Sequence, residues 1–369
     1  MDAAGGIGVV GAGIVGLCTA YALLERGAAV RVYERGVPGG GQSGGASRVF
    51  RHGHDDPRMV AAAVASRAVY EEWSRRLGVE MVSRDGALAL GPPAARRLPG
   101  LRAAGVPAAR VAAEAVARAL PPLAPLPGAA VPAVLDEAGG AIRTTAAVEA
   151  LRGALGDALV TEEVLAVRDL PGGGAEVVAG GTVARHDAVV VCAGRGTAAL
   201  AAGLGLAPPV ALGAHVRLTF RVRGDAPARL ACLQDGSGAW GETGVYAAAL
   251  PGNREYAVGI SEHVDAAPDG ALADPGGLAA LADRTRAYVR RALPGLDPDP
   301  VASRVCWTTE LPWGPDGVAA WRAGDVLVVA GHNLFKQAPG LGRSLAAAAL
   351  GDEPALDLRP QARLGARAA

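Results

Sequence analysis

The sequence predicts an α/β protein. A parallel-sheet domain assembled from separated stretches of chain is interleaved with an α+β domain carrying a large mixed sheet. Three observations predict this. A short apolar run, 7–10, leads through a glycine-rich turn into a helix and then a second strand, 29–34. Two more apolar runs, 188–191 and 325–330, stand far down the chain, each followed by a glycine turn. Between them, 214–222, 244–250 and 255–260 alternate as the strands of a half-buried sheet do.

Residues 7–10 (IGVV) are a buried strand. The turn after it reads Gly11-x-Gly13-x-x-Gly16 and opens a helix over 14–26. The first glycine permits the tight turn, and the second lets backbone approach a pyrophosphate. The third lets helix and strand pack closely, while the helix N-terminus faces the phosphates. Glu34 ends the next strand, where an acidic residue suits ribose hydroxyls and repels the extra phosphate of NADP. Arg35 follows it as a further candidate nucleotide contact. This is a Rossmann-type start, a fingerprint shared by FAD and NAD. The strand-then-glycine runs 186–194 and 324–333 favour FAD, because chains that wrap FAD commonly return to the nucleotide domain in this way.

Beyond that start, 37–47 is a Gly- and Ser-rich loop. Residues 57–77 have helical spacing, with Val60, Val64, Val69, Tyr70 and Trp73 apolar. Residues 92–135 are low in complexity and read as surface helices and loops. Residues 144–156 resemble a capped helix, and 159–191 contain strands. Residues 275–293 are helical, 340–350 begin a final helix, and the tail from about 354 is expected to fray. The expected division is a nucleotide domain from 1–84, 142–206 and 314–369, and a substrate domain from 85–141 and 207–313.

Composition narrows the function classes. The chain has 369 residues, half of them hydrophobic, and zero formal net charge. Nothing steers it toward nucleic acid or an anionic membrane surface. It has no apolar run of about 18 residues that would span a membrane. The apolar start lacks the basic region of a signal peptide. Cys18, Cys192, Cys232 and Cys306 are widely spaced with no CxxC pair, so no metal site or disulfide framework is expected and a cytoplasmic setting fits. Lysine plus arginine total 36, and the single lysine is Lys336. A solvated position would tolerate the arginine used everywhere else, so Lys336 marks a site that needs a compact ammonium.

These residues resemble the monomeric sarcosine oxidase and N-methyltryptophan oxidase group, within the D-amino-acid-oxidase-like FAD-dependent oxidoreductases. The resemblance covers most of the chain. It is strongest in 7–35, 43–54, 304–309 and 325–342 and weakest in 92–135. It implies a glutathione-reductase-like FAD-binding domain interleaved with the substrate domain, in a monomer. The family's T-R-x-x-R-H pattern reads Ser47-Arg48-Val49-Phe50-Arg51-His52 here. That resemblance places Ser47 and Arg48 by the flavin, Arg51 on the substrate carboxylate and His52 beside them. The guanidinium fork suits that job because it binds a carboxylate bidentately. Val305-Cys306-Trp307-Thr308 matches the segment whose cysteine is bonded covalently to the flavin. Gly331-His332-Asn333-Leu334-Phe335-Lys336, followed by Gly340, matches the segment whose lysine is a second carboxylate contact and whose glycines approach the cofactor.

The sequence also departs from the family. Where relatives carry a lysine over the flavin that assists reaction with dioxygen, the strand 255–260 has Ala257, and no other lysine exists to replace it. Either His52, Arg48 or His332 supplies that charge, or dioxygen is a slow acceptor and another takes its place. A histidine found in some relatives near Arg48 is absent, with Gly44 near that position.

The resemblance implies hydride abstraction from a carbon beside an amine nitrogen, in a small substrate bearing a carboxylate, to give an imine. Trp307 and Tyr246 are candidates to wall the amine, with ordinary core packing the alternative. Two other readings stay open: oxidation of a hydroxy acid or cyclic imino acid on the same fold, and a flavoprotein without turnover.

Overall fold

The computed structural model describes residues 5–127 and 131–366. The first residues of the expected nucleotide domain, part of the low-complexity stretch (128–130) and the end of the tail (367–369) lie outside the described residues.

Ile7–Val10 is buried along its whole length and lies inside a six-stranded sheet. It pairs in parallel with Val30–Glu34 on one side and Ala188–Val191 on the other. Leu159–Thr161 extends the sheet beyond Val30–Glu34. Val326–Gly331 joins Ala188–Val191 in parallel, and antiparallel Val318–Ala323 closes the far edge. Strands buried on both faces need cover on both, which is why these runs are continuously apolar rather than alternating. On one face Val9, Val32, Val190 and Val329 pack under the helices Ile14–Glu25, Thr144–Leu155 and Ala338–Ala349. On the other, Val10, Val191 and Val328 meet Val167 and Val177 of the antiparallel sheet Val164–Asp169, Ala175–Ala179 and Thr182–His186.

The second sheet is mixed and has nine strands. Its order is Val264–Ala266, Ala211–Arg221, Glu255–Ile260, Val245–Ala249, Cys232–Asp235, Ala87–Leu90, Ala133–Asp136 and Ala108–Arg110. Ala302–Glu310 lies along the other edge of Ala211–Arg221. The only parallel pair in it joins Cys232–Asp235 to Ala87–Leu90. The helix Gly277–Ala292 covers one face, burying Leu281, Tyr288 and Val289.

The long helix runs Pro57–Leu77, as its spacing predicts. Asp56 caps its start by accepting from the Arg58 N–H, and Gly78 ends it in the left-handed region. Two expectations are corrected. The stretch 92–135 is not only surface helix and loop: it contributes Ala108–Arg110 and Ala133–Asp136 to the mixed sheet. The tail is docked, not frayed, up to 366. Leu358 and Leu364 are buried, and their carbonyls accept from the N–H groups of Ala320 and Val318.

Candidate active site

The two sheets flank a cleft of about 880 Å³. Its walls include Gly11, Gly13, Glu34 and Arg35, then Ser43, Arg48 and Ala193, and also Cys306, Trp307, His332 and Lys336.

The glycine turn is fixed by space. A Cβ on Gly11, which has φ +97°, would stand 2.6 Å from the Cys192 carbonyl oxygen. A Cβ on Gly16 would stand 1.9 Å from the Gly11 oxygen, so Gly16 serves packing and does not line the cleft. Gly13 caps the helix Ile14–Glu25, and the Ile14 N–H donates to Ser43 Oγ at 2.9 Å. Glu34 accepts from the N–H groups of Ala12 (2.8 Å) and Gly36 (3.0 Å), which holds its carboxylate at the strand end beside the turn. A backbone-lined turn at a helix N-terminus, an acidic residue at the next strand end and a long cleft leading away fit an extended dinucleotide such as FAD. Cys306 lines the same cleft, opposite His215 across the strand pair. Gly331 lines it too, and a Cβ there would stand 2.6 Å from the Gly317 oxygen.

Elsewhere on the cleft wall, three nitrogens converge on one carboxylate. Asp316 Oδ2 accepts from Arg51 Nη2 (2.9 Å) and from His54 Nδ1 (2.9 Å), and Oδ1 accepts from Lys336 Nζ (3.2 Å). Asn333 Nδ2 stands 3.5 Å from Oδ1. Burial would raise the Asp316 carboxyl, but Lys336, Arg51 and His54 hold it well below the usual range. Burial pushes Lys336 down to about 8, opposed by Asp316. Burial also lowers Arg51. His54, pushed down to about 3 by burial and then by Arg51, is neutral. Arg51, Lys336 and Asp316 together leave one net positive charge.

Arg48, also on the cleft wall, donates to the carbonyls of Ser47, Gln42 and Gly44, and burial, then Arg217, lowers it to about 10. A Cβ on Gly44 would meet the Arg304 guanidinium. Tyr246 and Trp307 both line the cleft. The Tyr246 hydroxyl lies 3.2 Å from His215 Nε2, and the Arg195 guanidinium stacks over Trp307 at 4.2 Å. His332 lines the cleft as a neutral imidazole, lowered to about 3 by burial and then His215.

Four expected site residues are not at the cleft wall: Gly16, described above, and His52, Ser47 and Gly340. His52 is buried, with both its N–H and its Nδ1 2.9 Å from Asp136. Successive residues of extended chain point opposite ways, so Arg51 facing the cleft turns His52 into the protein. Ser47 is also buried, and its Oγ accepts from Arg217 at 3.0 Å. Gly340 packs against Ser66 in the helix Ala338–Ala349.

The structure adds groups the motifs do not contain: Asp316, His54, Arg217 and the Asp55–Arg97 pair, bidentate at 2.8 and 2.9 Å. Alternation within 214–222 is the signal that places His215 and Arg217 on one face. No sequence signal marks His54, which lines the cleft although His52 does not. Asp316, in a Pro-Asp-Gly stretch, reads only as a turn. Ala257 pairs with Thr219, and so shares a sheet face with Arg217 and Gly259. Among the described residues, no group of three or more His, Cys, Asp or Glu could hold a metal, and no helix is long and apolar enough to cross a membrane.

The family model described as FAD dependent oxidoreductase (DAO) matches residues 7–348. The chain is similar to the solved structure of NikD, described as an unusual amino acid oxidase essential for nikkomycin biosynthesis. That likeness has 23% identity and a TM-score of 0.82, covering 100% of this chain and 98% of that one. It is similar to glycine oxidase from Geobacillus kaustophilus at 22% identity and a TM-score of 0.76, covering 96% of each chain. It is similar to L-proline dehydrogenase from P. horikoshii at 18% identity and a TM-score of 0.80, covering 95% of each. No curated protein sequence matches.

Proposed function

The chain belongs to the DAO family of FAD-dependent oxidoreductases, and from that premise we propose that it oxidises a small amine or amino or imino acid carrying one carboxylate. The observation that carries this reading is the convergence of Arg51 and Lys336, the chain's only lysine, on a single carboxylate in the wall of the cleft. Two buried cations that already hold one carboxylate between them have the geometry to hold another. Their net charge of one, after Asp316, matches a monocarboxylate.

Gly11, Gly13, Glu34, Arg35, Arg48 and Gly331 would hold FAD, with Cys306 as the point of covalent attachment. Bound FAD supplies the two-electron acceptor for the carbon–hydrogen bond next to nitrogen. The chain's own part is positioning and charge. Arg51 and Lys336 fix the carboxylate. Tyr246 and Trp307 wall the space between it and Cys306. The neutral imidazoles of His215 and His332 add hydrogen-bonding capacity there without charge. Under this reading 1–84, 142–206 and 314–369 form the nucleotide domain and 85–141 with 207–313 the substrate domain. The separate apolar cores beneath the two sheets support that division. Four unpaired cysteines fit a cytoplasmic monomer that passes electrons to dioxygen or another acceptor.

The test is anaerobic mixing of purified holoenzyme with N-methylglycine, glycine, proline and pipecolate. At least one should bleach the visible absorbance of the oxidised flavin. Bleaching by a hydroxy acid alone would move the reaction to an alcohol carbon. No bleaching by any of them would make the protein a flavoprotein without amine turnover.

A further inference from the structure

We propose that Asp316 is a positioning residue that keeps Lys336 an ammonium and holds it toward the carboxylate-binding part of the cleft. Calling the ligand there a substrate rests on the functional reading above. The coupling of Lys336 to Asp316 does not.

The argument starts from burial. The Lys336 side chain is 6% exposed. Out of water, an amine favours its neutral form unless a counter-ion holds the charge. Among the described residues, Asp316 is the only carboxylate within ion-pair distance of Lys336. The other groups around it come from several elements. Arg51 and His54 lie on the segment after the strand Ser47–Phe50, and His332 follows the strand Val326–Gly331. Arg97 reaches in from the helix Pro92–Ala103 and is taken up by Asp55. Arg51 and Arg97 disfavour the ammonium, and His54 and His332 are neutral. Of these charged groups, Asp316 alone favours it.

The geometry is fixed as well. Asp316 is held by Arg51, His54 and Lys336 through both its oxygens, so it cannot swing away without orphaning buried donors. Lys336 Nζ donates to Asp316 Oδ1 and to the Asn333 carbonyl, each at 3.2 Å. An ammonium has three N–H groups, so one remains for a ligand in the cleft. An asparagine at 316 would keep the shape and remove the charge. Lys336 would then lose its proton at lower pH and cease to bind a carboxylate at neutral pH.

The chain has one lysine, so holoprotein grown on lysine labelled with carbon-13 at the ε position, with any tag free of lysine, gives one lysine resonance. Its pH titration reads Lys336 directly. The wild-type midpoint is expected near about 8. Asp316→Asn should lower it by about one pH unit or more, a tenfold or larger change in the protonation equilibrium. Asp316→Glu should restore most of it. An unmoved or raised midpoint in Asp316→Asn overturns the proposal. So does an Asp316→Glu midpoint as low as that of Asp316→Asn, which would make the role one of packing. If Asp316→Asn does not fold, Arg51→Met decides: removing the competing cation should raise the midpoint, and no rise refutes the electrostatic coupling.

The ligand part is read with acetate, through its perturbation of the flavin spectrum. Acetate affinity should fall above the Lys336 midpoint in each protein, and profiles that ignore the midpoint refute it. Failure of the amine-oxidation reading would show separately, as flavin that no amino acid bleaches.

Discussion

Lys336→Met removes the ammonium and keeps a side chain of similar length in a buried position. In the native site Asp316 has Lys336, Arg51 and His54 as partners. In the variant it keeps Arg51 and His54, so no buried carboxylate is orphaned and the fold should hold. The ligand's carboxylate loses one charge-assisted hydrogen bond, and the net charge facing it falls from one to zero. Such a bond is worth about 1.5–3 kcal/mol, so the dissociation constant of a carboxylate substrate should rise roughly tenfold to a hundredfold. Flavin content should not change, because the hydrogen-bond partners of Lys336 are Asp316 and Asn333 and not the glycine turn or Glu34. The assay is anaerobic stopped-flow reduction of the flavin at increasing substrate concentration, which separates the dissociation constant from the limiting rate. A dissociation constant within twofold of wild type would refute the reasoning and make Lys336 a structural counter-ion of Asp316. Loss of flavin in parallel with substrate affinity would refute it differently, by placing Lys336 on the cofactor.

Cys306→Ala should turn a flavin that stays with acid-precipitated protein into one found in the supernatant, and wild-type protein that already releases its flavin would end the covalent assignment. Ala257→Lys should speed reoxidation of the reduced holoenzyme by dioxygen, because a cation there faces the same side of the sheet as Arg217. Unchanged reoxidation would assign that task to Arg48 or Arg217, both of which line the cleft. His54 is lowered from 6.5 to about 3 in the folded protein. The unfolded chain therefore binds the proton first, and stability present above pH 6.5 is lost as pH falls toward 3. By pH 5 that costs about 2 kcal/mol. Urea denaturation at pH 7 and pH 5 should show this extra loss in wild type and not in His54→Gln, and equal losses in both would be inconsistent with a neutral buried imidazole.

The parts of the fold legible in the sequence are those where backbone geometry admits few residue types. The turn at Gly11–Gly16 is one, since a Cβ at either end would overlap backbone. The helix Pro57–Leu77 is another, with Asp56 and Pro57 at its start and Gly78 after its end. Ala108–Arg110 and Ala133–Asp136 were not legible. Their stretch is dominated by alanine, proline and leucine, which erases periodicity, and their strand state comes from pairing with chain far away or with each other. The same holds for the tail, where Leu358 and Leu364 are held by the edge strand Val318–Ala323. In the site, Arg51 could be read from its motif and Lys336 from being the only lysine. Asp316 could not, because its partners lie at 51, 54 and 336 and meet only in three dimensions. His52 was misplaced because a motif gives order along the chain and not the side to which each residue turns.

The scattered order of the parallel sheet governs how the molecule can be made. The strand Ile7–Val10 is synthesised long before its neighbour Ala188–Val191 and the next strand Val326–Gly331. The helix Ile14–Glu25 is covered by Ala338–Ala349, the last α-helix of the chain, so closely that a Cβ on Gly342 would stand 2.6 Å from Cys18 backbone. Until that helix is made, the face of Ile14–Glu25 that it covers stays open, and closing such distant pairings costs loop entropy before contacts reward it. Folding of this half should therefore be slow, late and dependent on chaperones. A nascent chain interrupted before about residue 338 should aggregate instead of yielding a partial enzyme. Cofactor capture then waits for the chain beyond about residue 338, so that shorter nascent chains should stay colourless.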